Sequence, residues 1–229
     1  MELTKTLLLI IDVQNDFCPA YSSACGEQFP AGALAVRDGG GVVGPLNMLA
    51  AALAGAGGRV AATQDWHPAG HVSFASSHPG KKPGDAIDTE AVTGQALWAD
   101  HCVQGTHGAA FHGGLCLDPV SLIVRKGFRT GLDSYSAFFE NDRKTPTGLA
   151  GWVRSLGIQT IVLGGLAADY CVFYSAMDAQ RLGFDAIIAS DAVRGVDIPP
   201  GSVEQAAGAM RAAGIAFAAS AELFAEMRQ

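Results

Sequence analysis

Thr160-Ile161-Val162-Leu163-Gly164-Gly165-Leu166-Ala167-Ala168-Asp169-Tyr170-Cys171-Val172 runs from an apolar stretch through small residues into a cysteine. The branched apolar run predicts a strand buried on both faces. The small residues after it predict a tight exit, and a helix over 170–181, ended by Gly183, follows. Cys171 then sits where a helix opens. Backbone N–H groups at a helix start favour negative charge, so this position predicts a thiol pKa lowered toward a thiolate at neutral pH.

Working outward, further strands are predicted over 7–13, 59–64, 121–125, 184–189 and 215–219, and helices over 42–56, 147–156 and 202–213. Ser202 reads as an N-cap, with Pro199 and Pro200 discouraging an earlier start. Strands alternating with helices predict an α/β fold, a three-layer sandwich with a six-stranded parallel sheet covered on both faces. The whole of 1–229 is read as a single domain. Two stretches, 18–41 and 68–119, fit the alternation poorly and are rich in Gly, Pro, Ser and His. Loops of that length in a compact domain are usually functional, and these follow the first and second strands, on the side where open α/β sheets bind ligands.

Composition narrows the function classes. A formal net charge of -7 with no cluster of Lys and Arg argues against a nucleic-acid partner. No stretch approaches a membrane span, and Asp12 interrupts the apolar run 7–11 before it could serve as a signal peptide. Charged residues are only 16%, which predicts extensive buried surface or a homo-oligomer. Cys18, Cys25, Cys102, Cys116 and Cys171 are odd in number and lack a C-x-x-C pairing, so free thiols and a cytoplasmic setting are expected.

Asp12 ends the first strand, Asp65 follows the second, Lys126 ends the third and Cys171 follows the fourth. A parallel sheet brings all four to one edge. Singly, each has a plainer reading: Cys171 as core, Asp12 as an Asx-turn residue, Lys126 as a solvated strand end. Together they form a working set, in which Lys126 holds a thiolate and Asp12 carries the proton. A second constellation is Asp65-Trp66-His67, with His71 beyond it and His101-Cys102 further on. One carboxylate and two imidazoles form a recognised site for a divalent ion such as zinc, manganese or iron. His71 is a possible additional ligand and Cys102 the rival to His101. No G-x-S-x-G, H-E-x-x-H, Walker or dinucleotide glycine motif is present.

The segments Asp12-Val13-Gln14-Asn15-Asp16-Phe17, Asp65-Trp66-His67-Pro68, Trp98-Ala99-Asp100-His101-Cys102-Val103, Lys126-Gly127, Asp133-Ser134-Tyr135-Ser136-Ala137-Phe138 and Gly165 to Val172 run across nearly the whole chain. In that combination the chain resembles the isochorismatase-like cysteine hydrolases and, among them, the nicotinamidase/pyrazinamidase family. The resemblance implies Asp12, Lys126 and Cys171 as catalytic residues and the N–H groups of Ala167 and Cys171 as an oxyanion hole. It also implies a cis peptide between Leu166 and Ala167, pocket walls from Phe17, Trp98 and Tyr135, and one divalent metal, zinc first, on Asp65, His67 and His101. The implied reaction is hydrolysis of nicotinamide, and of pyrazinamide, to the acid and ammonia in NAD salvage. Related amidases acting on ureido or carbamoyl substrates, isochorismatase itself and a non-catalytic binding protein are the alternatives. One departure is Ala99, where this family usually carries proline.

Overall fold

Leu7, Leu8, Leu9, Ile10 and Ile11 are all fully buried, because the strand they form lies in the middle of a sheet with helices on both sides. Alternation divides them: Leu8 and Ile10 enter one core, and Leu7, Leu9 and Ile11 the other. The computed structural model describes residues 1–23 and 25–228. The sheet contains β1 Thr6–Ile11, β2 Arg59–Asp65, β3 Val120–Lys126, β4 Thr160–Leu166, β5 Asp185–Arg194 and β6 Ala216–Ala218. All pairings are parallel, in the order β6-β5-β4-β1-β2-β3. The chain direction across the sheet therefore reverses between β1 and β4, and a crevice opens at their C-terminal ends.

Helices α1 Val43–Gly55 and α5 Ser220–Met227 cover the face holding Leu8 and Ile10, with Leu46, Leu49, Leu53, Leu223 and Met227 in the core. Helices α2 Leu149–Ser155, α3 Cys171–Arg181 and α4 Ser202–Ala212 lie on the other side, where Val153, Val172, Ala176 and Met210 meet Leu7, Leu9 and Ile11. The predicted three-layer α/β architecture is the observed one. Among the described residues no helix is long and apolar enough to cross a membrane.

Several boundaries differ from the sequence reading. The first strand stops at Ile11, because Asp12 takes a left-handed conformation (φ 47°) that turns its side chain out of the pleat. The fifth continues through Ser190 and Asp191 to Arg194, past a register irregularity opposite Leu163 to Gly165. The polar pair conceals that extension from a hydrophobicity pattern. Helix α5 was not predicted; its start is held by Asp191, whose carboxylate accepts the Ser220 N–H at 2.7 Å and hydroxyl at 2.5 Å. Ser202 is the first residue of α4 and not its N-cap, which is Gly201; the Ser202 hydroxyl donates to Asp169 instead. Within the long loops, two small hairpins pair Tyr21–Ser22 with Gln28–Phe29 and Ala86–Ile87 with Gln95–Ala96.

Gly165 stands opposite Ile11 at the reversal point, with φ 123°. A Cβ there would overlap the Ile11 carbonyl oxygen. Gly165→Ala is expected to destabilise the protein by about 3 kcal/mol or more, combining backbone strain with a steric clash. Urea unfolding checks this, and an unchanged midpoint would contradict the packing described.

Candidate active site

The Lys126 side chain is fully buried at the end of β3. Its Nζ lies 2.8 Å from Asp12 Oδ2, 2.5 Å from Asp65 Oδ1, 2.9 Å from the Ser134 carbonyl and 3.4 Å from Cys171 Sγ. Parallel register accounts for the meeting, since Asp65 pairs with Lys126 and Asp12 and Cys171 follow adjacent strands. Thr63 steadies Asp12 twice, accepting its backbone N–H at 3.1 Å and donating to Oδ1 at 2.5 Å. Oδ2 lies against the Lys126 ammonium and has no other partner among the described residues. Burial raises the Asp12 carboxyl pKa against the pull of Lys126. Burial also works against Asp65 as an anion, but Lys126 and His67 outweigh it and hold that carboxyl below its usual range. Lys126 is held charged by its two carboxylates, which overcome its own desolvation.

Cys171 opens α3, one peptide after Tyr170 and four residues beyond the cis bond between Leu166 and Ala167. Among the described residues, neither the Ala167 nor the Cys171 backbone N–H donates a hydrogen bond, and both residues line the same cavity. The expected lowering of the thiol pKa is not what the environment produces. Burial raises it well above the ordinary value, Asp12 and Asp65 add to the rise, and Lys126 only partly offsets them. The helix start is real, but it acts on a thiol removed from water and facing two carboxylates.

Asp65, His67 and His101 form the second cluster. Their ligand atoms lie within 4.8 Å of one another, with Asp65 Oδ2 3.7 Å from His67 Nε2 and 3.9 Å from His101 Nε2. Each imidazole is oriented from behind: Nδ1 of His67 donates to the Gly127 carbonyl and Nδ1 of His101 to the Ala99 carbonyl, both at 2.8 Å. A carbonyl only accepts, so each neutral ring turns its Nε2 lone pair toward Asp65; with no cation bound, Asp65 raises the His67 pKa despite burial and favours its protonated form. Burial and His67 bring His101 down to about 4, the neutral form a metal requires. These residues fit a divalent ion. His71 stands apart, with Nδ1 on Ser73 Oγ at 2.7 Å, and groups with His67 and Asp133 instead. Cys102 joins the hydrophobic core below β1, its thiol raised by burial.

Both clusters open into a cavity of about 350 Å³. Phe17, Trp98 and Tyr135 line it, and the Trp98 indole N–H donates to the Tyr135 hydroxyl at 3.1 Å. Sequence reasoning missed the wall formed by Ala33 to Ala35, Val196 and Ile198, which carries no polar signature. It also missed Gln14, whose amide pairs with both the N–H and the carbonyl of Asp65 at 2.8 Å. Its place in the Asp12 to Phe17 motif was the only available signal.

A parallel sheet with a buried Asp-Lys-Cys group at its reversal point defines a class of hydrolase, and comparison with known proteins gives its family. An isochorismatase domain model matches residues 6–222. The nicotinamidase of Acinetobacter baylyi is 41% identical over 208 residues, covering 91% of this chain and 89% of that one. A solved Acinetobacter baumanii nicotinamidase/pyrazinamidase superposes with a TM-score of 0.87 at 41% identity, covering 96% of this chain and 98% of its own. The pyrazinamidase of Pyrococcus horikoshii, solved in complex with zinc, superposes with a TM-score of 0.73 at 28% identity over 94% of this chain and 99% of its own. The chain belongs to the isochorismatase family of hydrolases.

In chelator-treated protein, alkylation of Cys171 is expected to rise with pH well past the ordinary thiol range, and Lys126→Met to move that rise to still higher pH. The sign follows from the ammonium, the neighbour that favours the thiolate. Cys25 is exposed, and the Ser23 hydroxyl lowers its thiol pKa, so it should label first at neutral pH without loss of activity. Peptide mapping against residual activity decides this; loss of activity tracking Cys25 would refute it.

Proposed function

We propose that the protein hydrolyses nicotinamide to nicotinate and ammonia in NAD salvage, with pyrazinamide as a second substrate. The observation that carries this reading is the contact of Lys126 with Asp12 and Cys171 beside two unpaired backbone N–H groups. A thiol and an oxyanion site in one cavity, with a buried proton carrier beside the thiol, are the parts that amide hydrolysis through a thioester needs. The cavity is walled by aromatic and apolar side chains, which suits a flat heteroaromatic ring.

The Cys171 proton passes to Asp12 as Sγ attacks the carboxamide carbon, and Lys126 stabilises the thiolate during transfer. The carbonyl oxygen becomes an oxyanion held by the N–H groups of Ala167 and Cys171. Collapse breaks the C–N bond, and the leaving amine takes the proton from Asp12 and departs as ammonia. Water then attacks the thioester carbon, giving a proton to Asp12. The C–S bond breaks, the proton on Asp12 returns to Cys171, and the acid leaves and gives its carboxyl proton to solvent as nicotinate. Burial raises the Cys171 pKa, which favours the thiol before substrate enters, and it raises the Asp12 pKa, which suits a carboxylate that takes a proton.

Asp65, His67 and His101 would hold one divalent ion, for which zinc is our assignment. Bound there, such an ion supplies Lewis acidity toward the ring nitrogen of the substrate. The residues around it orient the ring: Phe17, whose ring lies 5.5 Å from that of His101, and Trp98, 5.0 Å from Tyr170.

Ammonia release from nicotinamide tests the reading. Asp12→Asn should lower turnover by about 100-fold or more, the scale of general acid-base groups. Near-normal turnover would exclude Asp12 as the proton carrier. His101→Ala should lose bound metal, measured by elemental analysis, together with most hydrolysis. Equal metal in both proteins would remove His101 from the site.

A further inference from the structure

The motif Asp12 to Phe17 contains a carboxylate that the reaction does not use. Asp16 lies half-buried on the short turn Asn15–Phe17. Its Oδ2 accepts the backbone N–H of Cys102 at 2.7 Å, and its Oδ1 that of Ala33 at 3.2 Å. Its own N–H donates to the Gly108 carbonyl at 3.0 Å, and its carbonyl accepts the Leu34 N–H at 2.9 Å. One residue thus joins three segments that are remote in sequence. The space around it is closed: a Cβ on Gly108 would overlap both carboxylate oxygens, and one on Gly32 would strike the Asp16 backbone.

The two side-chain bonds reach different parts of the site. Cys102 directly follows His101 and takes a left-handed backbone (φ 46°) that is uncommon outside glycine. The bond from its N–H helps to hold that turn, and with it the direction of the His101 ring. Ala33 begins the apolar stretch Ala33 to Ala35, which lines the cavity. We propose that Asp16 is a positioning residue that sets the ligand turn at His101 and the substrate wall at Ala33 together. Only a carboxylate offers two acceptors here. Asparagine would turn an NH₂ group toward one of the two N–H donors and lose one bond. The half of the proposal that concerns His101 rests on the metal reading above.

Zinc titration of chelator-treated Asp16→Asn beside wild type tests it, with circular dichroism for folding and KM and kcat on nicotinamide in the zinc-loaded proteins. The variant should fold and bind zinc about 10-fold more weakly or worse, the usual effect of removing an outer partner of a metal ligand. KM should rise more than kcat falls, and Cys171 alkylation in the chelated protein should keep its wild-type rate. Gly108→Ala retains the carboxylate but displaces it, and should produce the same pair of effects. A folded Asp16→Asn with wild-type zinc affinity and KM would overturn the proposal. So would failure of both variants to fold, which would make Asp16 a residue of folding alone. A wild type that turns over nicotinamide without binding zinc would fault the metal reading instead, and KM alone would then decide the role at the Ala33 wall.

Discussion

The ammonium of Lys126, shut away from water between two carboxylates, is the constraint on which the site depends. Desolvating a charge is costly unless it is paired and hydrogen-bonded, and Lys126 is both. Removing one partner from such a buried group typically costs about 3–5 kcal/mol, so the arrangement is stable only when complete. That requirement ties the ends of four strands to one another. It also joins the Asp12–Cys171 pair to Asp65, so the residues that fit proton transfer and those that fit a metal share one charged centre.

The sheet order makes the meeting possible. Reversal between β1 and β4 leaves Asp12 and the Cys171 turn on neighbouring strands, where Gly165 allows the Ile11 carbonyl to approach closely. The left-handed backbone at Asp12 then directs its carboxylate toward the centre of the site and away from the core. Packing of the helices on both faces of the sheet keeps these strand ends in register.

The cavity, by contrast, is built by the loops. Segments 31–41, 83–101 and 194–198 meet over the strand ends and supply most of the wall. They are held by side chains that never face the cavity directly. Arg194 clasps Asp38 at 2.8 Å, and Asp169 accepts the N–H groups of Val196 and Asp197 at 3.0 Å. The Asp169 contact joins the turn before Cys171 to the segment at Val196 that lines the cavity, so the position of the thiol and the shape of the pocket are mechanically linked.

The sequence by itself determined the alternation of strands and helices, because buried parallel strands are long apolar runs and their helices end at glycine. It also singled out Asp12, Asp65, His67, His101, Lys126 and Cys171, since ionisable residues that close apolar strands or stand in polar loops depart from the local pattern. Helix α5, the hairpins and the extension of β5 were hidden because their pairing is set by distant partners such as Asp191. The surroundings of Cys171 push its pKa opposite to the direction expected from sequence for a related reason: a helix start is visible in sequence, whereas desolvation and the proximity of two carboxylates are not. The tertiary structure alone decided that His71 turns to Ser73, that Cys102 turns into the core, and that alanine, valine and isoleucine without chemical signature form part of the wall of the cavity. These outcomes depend on the path of long loops, which is fixed by hydrogen bonds between residues far apart in the chain.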